Sequence, residues 1–176
     1  MSLIKTVADQ TSLNFTGKIN VLEKGTNKYL GKITLLEGSI VFANYKGGMG
    51  KAALFHIVID DLETENLSYV VEPEIVTLSE AIFDLSFENF KRDAEYIYSA
   101  YSSARKFRPP PHLRLLITPD FVPKGPSVSY AEFEVLTVIS DFNKVSDIFS
   151  ECSLLEYQTC NALVSLRKKG ALKVIG

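Results

Sequence analysis

Three consecutive prolines, Pro109-Pro110-Pro111, constrain this chain more than any other feature. Proline lacks a backbone N–H and its ring clashes with the preceding turn, so no helix runs through them. Arg105-Lys106-Phe107-Arg108 precedes them, and Pro119, Pro123 and Pro126 keep the following stretch irregular. Residues 105–127 therefore read as an ordered or semi-rigid linker between two folded units. A chain of 176 residues accommodates one domain or two small ones, with enough core to dispense with disulfide or metal staples.

Upstream, from Leu13 to Val76, the pattern is mostly that of strands. Ile19 and Val21 alternate with Lys18 and Asn20, and Gly31, Ile33 and Leu35 alternate with Lys32 and Thr34. Gly25-Thr26-Asn27-Lys28 between them supplies turn chemistry, so the pair predicts a hairpin. Glu37-Gly38 forms a second turn before the apolar run Ser39 to Ala43. Ala52 to Val58 has the spacing of a buried helix, and Leu67 to Val71 reads as a closing strand stopped at Pro73.

Ser79 caps a predicted helix carrying Ile82, Phe83, Leu85, Phe90, Ile97 and Tyr101, extending to about Ser103 with a break near Phe87. Its aromatic series offers either core or a homodimer interface. Downstream, Ala131 to Ile139, Val145 to Phe149 and Leu155 to Lys169 predict three helices, the last ended by Gly170 before a strand at Ala171–Ile175. The expected fold is α+β: a small antiparallel-sheet domain with packed helices over 1–76, a helical connector and Pro-rich linker over 77–126, and a winged-helix-like domain over 127–176.

Composition narrows function. The 19 Lys and Arg against 21 Asp and Glu give a net charge of −2, which argues against a broadly basic nucleic-acid binder. Cys152 and Cys160 lack metal-ligand spacing, and the only histidines are His56 and His112. Asp60-Asp61 with Glu63 and Glu65 lacks the Gly and Glu spacing of a calcium loop and reads as a solvated turn. No apolar run reaches the ~20 residues of a membrane span, and residues 1–10 lack a signal-peptide core. The expectation is a cytoplasmic, non-catalytic protein without cofactor, metal or membrane partner.

One motif invites a different reading. Lys46-Gly47-Gly48-Met49-Gly50-Lys51-Ala52 follows an apolar strand and precedes a helix, the context of a phosphate-binding loop. It resembles the deviant phosphate loop of the ParA and MinD ATPases. Ala52, however, stands where a Ser or Thr hydroxyl must reach magnesium, and no alternating βαβ series follows. A glycine turn joining strand to helix is the preferred reading, and a nucleotide site over 46–52 the minor one.

Phe15-Thr16-Gly17-Lys18-Ile19, Gly31-Lys32-Ile33, Leu36-Glu37-Gly38-Ser39-Ile40-Val41-Phe42-Ala43 and Gly50-Lys51-Ala52-Ala53-Leu54 together resemble the bacterial PATAN domain. The resemblance covers about residues 13–76, and the helix that usually precedes the family's Thr-Gly strand has no counterpart in it. It implies a non-catalytic interaction module of two-component and polarity signalling, with a receiver domain or polarity protein as partner. Leu163 to Leu172 resembles the end of a MarR-like recognition helix leading into its wing. That alignment turns Tyr157, Gln158, Asn161 and Ser165 toward a DNA groove, with Arg167 as a further contact. Yet residues 127–176 hold five basic against six acidic side chains, too few cations for a simple DNA reader. Protein contact is preferred over a DNA-binding transcription regulator. In the linker, Arg105, Lys106, Arg108 and Arg114 form a basic strip that suits either a docking partner or simple solvation.

Overall fold

Alternating apolar and polar side chains over residues 17–45 produce three antiparallel strands in the computed structural model, which describes residues 2–121 and 127–175. These are β1 (Gly17–Glu23), β2 (Tyr29–Leu36) and β3 (Ser39–Tyr45). Glu37 and Gly38, both at positive φ, make the tight turn between β2 and β3 that matches the strand twist. With β4 (Gly48–Met49) and β5 (Leu67–Pro73) they form one sheet in the order β4-β3-β2-β1-β5, antiparallel throughout. Ile19, Val21, Ile33, Leu35 and Ile40 are fully buried. The fold is α+β, as the sequence predicts.

Helix α1 (Leu3–Ser12) precedes β1, and α2 (Lys51–Thr64) packs on β3. The region before Thr16-Gly17, read as lacking a helix, thus contains one. Only Leu3, Thr6 and Val7 of α1 are buried, which leaves little apolar periodicity to detect. Asp61 fixes its start: Oδ2 accepts the Leu3 N–H at 2.9 Å, placing a carboxylate at the positive end of the helix dipole.

Residues 1–98 and 99–176 form two compact units, and the boundary falls inside α3 (Phe87–Ala104) rather than at 76 or 127. Within the first unit Phe90, Ala94 and Ile97 of α3 are buried, and the Phe90 ring stacks on Phe55 of α2 at 6.4 Å. The helix does not start at Ser79. Thr77 and Glu80 cap a single 3₁₀ turn at Leu78–Glu80, and the chain then runs extended along β3. Ile82 and Phe83 donate to the Val41 carbonyl, and Leu85 exchanges both backbone bonds with Ile40. Ser86 opens α3, its Oγ accepting the Asn89 N–H at 3.5 Å.

The second unit holds β6 (Arg114–Ile117), α4 (Tyr130–Asp141), α5 (Val145–Glu151), α6 (Glu156–Lys168) and β7 (Leu172–Ile175). Ser129 and Glu132 form a reciprocal cap at the start of α4, and Gly170 at φ 74° turns the chain from α6 into β7. The strand after α6 pairs antiparallel with β6, which lies in the stretch read as a linker. The described residues of that stretch belong to a folded unit: Leu115 and Phe121 join Val135, Ile139, Ile148, Leu163 and Leu166 in one core. The prolines are compatible with this because they still accept hydrogen bonds. The Pro111 carbonyl takes the Ser146 N–H at 3.0 Å, tying the proline run to the first turn of α5. Pro119 lies beyond β6, and the prolines at 123 and 126 lie outside the described residues.

Candidate functional site

The second unit carries an apolar groove of about 270 Å³. The Phe107–Pro110 strap and Leu113 form one wall, Leu163, Val164 and Arg167 of α6 another, and Leu115, Leu172 and Val174 of the two strands complete the lining. Lys106, Arg108 and Arg167 set positive charge around it. Arg108 is positioned rather than loose: its guanidinium bonds Glu156 Oε1 at 2.8 Å and sits 4.6 Å from the Phe149 ring. A groove with an apolar floor and cations at its edge suits a partner offering apolar side chains flanked by carboxylates.

The basic strip is therefore split. Lys106 and Arg108 reach the groove, whereas Arg114 on β6 and Arg105 in a 3₁₀ turn lie outside the lining. Arg167 joins them from α6, away from the other residues of its helix singled out for contact. Tyr157, Gln158, Asn161 and Ser165 instead line a second, polar recess with Ser129, Glu132 and Lys169. There Glu132 is 4% exposed, and its Oε2 accepts the Ser129 N–H at 2.6 Å and the Lys169 ammonium at 2.8 Å. Burial opposes its charge, but the hydrogen bonds from Lys169 and the Ser129 amide, with the Lys169 charge, outweigh it and hold the carboxyl at about 2. The face expected to meet DNA thus includes a carboxylate and a lysine already paired with it. A lysine already neutralised by that carboxylate adds little to phosphate contact there.

The glycine motif is a hairpin. Lys46 at φ 47° and Gly47 at φ 89° turn the chain so that Gly48 pairs with Tyr45 and Met49 with Asn44. A phosphate cradle needs unpaired amides converging on one point, whereas the Gly50 N–H is given to the Ala43 carbonyl at 2.8 Å. Lys46 bonds Asp60 at 2.7 Å, and Lys51 lies 5.8 Å from the centre of the Phe83 ring. Adding Mg-ATP should leave the melting temperature unchanged, since only a ligand of the native state raises it. A rise that grows with ATP concentration would restore the nucleotide reading.

Of the acidic residues read as a solvated turn, Glu63 and Glu65 are exposed, but Asp60 and Asp61 are held by partners. Asp60 and Asp61 lie within α2, Asp60 taking the Tyr45 hydroxyl at 2.7 Å and Asp61 the Tyr69 hydroxyl at 2.7 Å. Burial, with these carboxylates, pushes both phenols well above their ordinary range. Cys160 is buried, and burial with the Glu156 charge pushes its thiol up to about 11 against the pull of Arg108, so it packs rather than reacts. Among the described residues no group of three His, Cys, Asp or Glu side chains is placed to hold a metal ion. No helix among them is long and apolar enough to cross a membrane.

No family model, curated protein or solved structure matches this chain. Sequence reasoning found the cations of the groove but not its apolar lining. Phe107 between basic residues was the one local signal for it.

Proposed function

We propose that this chain is a non-catalytic adaptor that works by protein–protein contact. The observation that carries the reading is the cation-edged apolar groove of the second unit, with Arg108 held in place by Glu156 and Phe149. Phe107, at 65% exposure, leaves a large ring at its mouth, and exposed aromatics beside fixed Arg side chains are favoured anchors for partners. The PATAN resemblance of residues 13–76 supplies the setting: cytoplasmic bacterial signalling, with a receiver domain or polarity protein as partner. A transcription regulator is the rival. Three helices followed by a strand support its winged-helix outline, but the Glu132–Lys169 pair on the expected contact face weakens DNA binding.

The test is capture from bacterial lysate with and without nuclease, comparing the wild-type chain with Val164→Arg, which fills the groove from α6. Receiver or polarity proteins should be retained through nuclease treatment and lost on the variant. Capture that disappears with nuclease, leaving DNA-borne proteins, sinks the adaptor reading and favours the regulator.

A further inference from the structure

The groove continues into an unpaired strand edge. The β6–β7 register matches Arg114 with Ile175, Leu115 with Val174, Leu116 with Lys173 and Ile117 with Leu172. One position further, the Thr118 N–H donates to the Ala171 carbonyl at 2.8 Å, which sets the phase of the ladder, while the Ala171 N–H turns to the Leu166 carbonyl at 2.9 Å. Antiparallel ladders alternate. Lys173 and Ile175 therefore spend their backbone groups on β6, while Leu172 and Val174 direct theirs outward. The opposite edge of β6 agrees with this phase, because the Leu115 N–H leaves the sheet to reach the Asn143 carbonyl at 2.7 Å. Among the described residues no strand pairs with the outer edge of β7.

The residues that offer free backbone are also the ones whose side chains line the groove. Leu172 and Val174 both do so, and Val174 is 46% exposed. A strand laid beside β7 would place alternate side chains on the groove face and the others away from it. Charge selects the occupant. Lys106 and Arg167 edge the groove beside Arg108, which Glu156 already holds, and Lys173, alternate to Leu172 and Val174, stands on the opposite face where the intervening side chains of an added strand would lie. A second copy pairing through β7 would bring these cations against each other. An acidic segment is attracted by them.

Resting on the adaptor reading, we propose that β7 binds an extended acidic segment of a partner protein as an added β-strand, its alternate apolar side chains seated in the groove. Main-chain bonds to Leu172 and Val174 supply affinity, and the groove and its cations supply selectivity.

Titration of the full chain with a fluorescent peptide of alternating Glu and Val, and with a Lys–Val counterpart, tests this. The acidic peptide should bind, weaken as salt rises, and shift the amide resonances of Leu172 and Val174. Val174→Pro removes an outward N–H while sparing the ladder to β6, a position at which an edge strand tolerates proline. It should cost about tenfold in affinity, the size expected for losing net main-chain bonds. Should that variant fail to fold, Arg167→Glu should weaken the Glu–Val peptide and admit the Lys–Val one. Unchanged binding by a folded Val174→Pro chain, or equal binding of both peptides, overturns the proposal. So does concentration-dependent dimerisation abolished by Val174→Pro, which assigns the edge to a second copy. Binding lost on Val164→Arg but kept on Val174→Pro refutes strand addition while leaving the groove; binding kept on both refutes the groove as well.

Discussion

Replacing Lys169 by Met should destabilise the second unit by about 3 kcal/mol, because it strands a buried carboxylate. The Glu132 side chain is only 5% exposed, and Lys169 is its ionic partner at 2.8 Å. The lysine itself is 27% exposed, which places the loss at the lower end of the range for breaking a buried pair. Lys169 also donates to the Ser127 carbonyl at 3.0 Å, so some of the loss belongs to that contact. Adding Glu132→Gln to Lys169→Met separates the two: the neutral amide needs no counterion, and most of the stability should return. The effect also has a pH signature. Glu132 sits at about 2 in the folded chain against an ordinary 4.5, so its stabilisation is complete above about 4.5 and is lost as pH falls toward 2. Denaturation followed on amide resonances of α4 and α6 should show the Lys169→Met deficit shrinking across that window. A deficit that is small and independent of pH would mean the pair acts like an exposed one.

The parts of the fold that were legible are those whose signals are local. Alternation over β1 to β3, the Glu37-Gly38 turn and the Gly170 cap lie within a few residues of the structure they specify. What escaped depends on distant partners. Arg114-Leu115-Leu116-Ile117 is too short to announce itself among prolines, and its partner strand lies on the far side of three helices. Ile82, Phe83 and Leu85 fit a helical face, yet the edge of β3 claims their backbone because the short β4 leaves Ile40 and Val41 unpaired there. The groove was hidden for the same reason. Lys106 and Arg108 precede Arg167 by the length of the whole second core, and only the packing of the strap against α6 unites them. Asp61 illustrates the converse error: a carboxylate in an acidic run is read as solvated unless its acceptor role for Leu3 and Tyr69 is known.

Gly31→Ala should be among the most damaging single-methyl changes in the first unit, at about 3 kcal/mol or more. Gly31 lies in the interior of the sheet, opposite Val21 on β1 and Tyr45 on β3. A Cβ there would collide with the Asn44 carbonyl oxygen and come within 2.9 Å of the Tyr45 Cα. Both are backbone atoms, so no rotamer change relieves the contact. Asn44 is also fixed locally, its Oδ1 accepting the Lys32 N–H at 2.7 Å beside the clash. Relief requires β2 and β3 to separate, which breaks ladder bonds and shifts the hairpin that carries Lys46 and Gly47. The comparison that isolates this cause is Gly47→Ala. Gly47 has φ 89°, but a Cβ added to it would meet nothing within 4 Å, so the substitution encounters conformational strain alone. That strain is worth about 1–2 kcal/mol. Chemical denaturation monitored at β1 and β2 amides should therefore rank Gly31→Ala well below Gly47→Ala. Equal losses would mean that the strands yield where they are drawn closest, and that the tight β2–β3 contact does not fix the register.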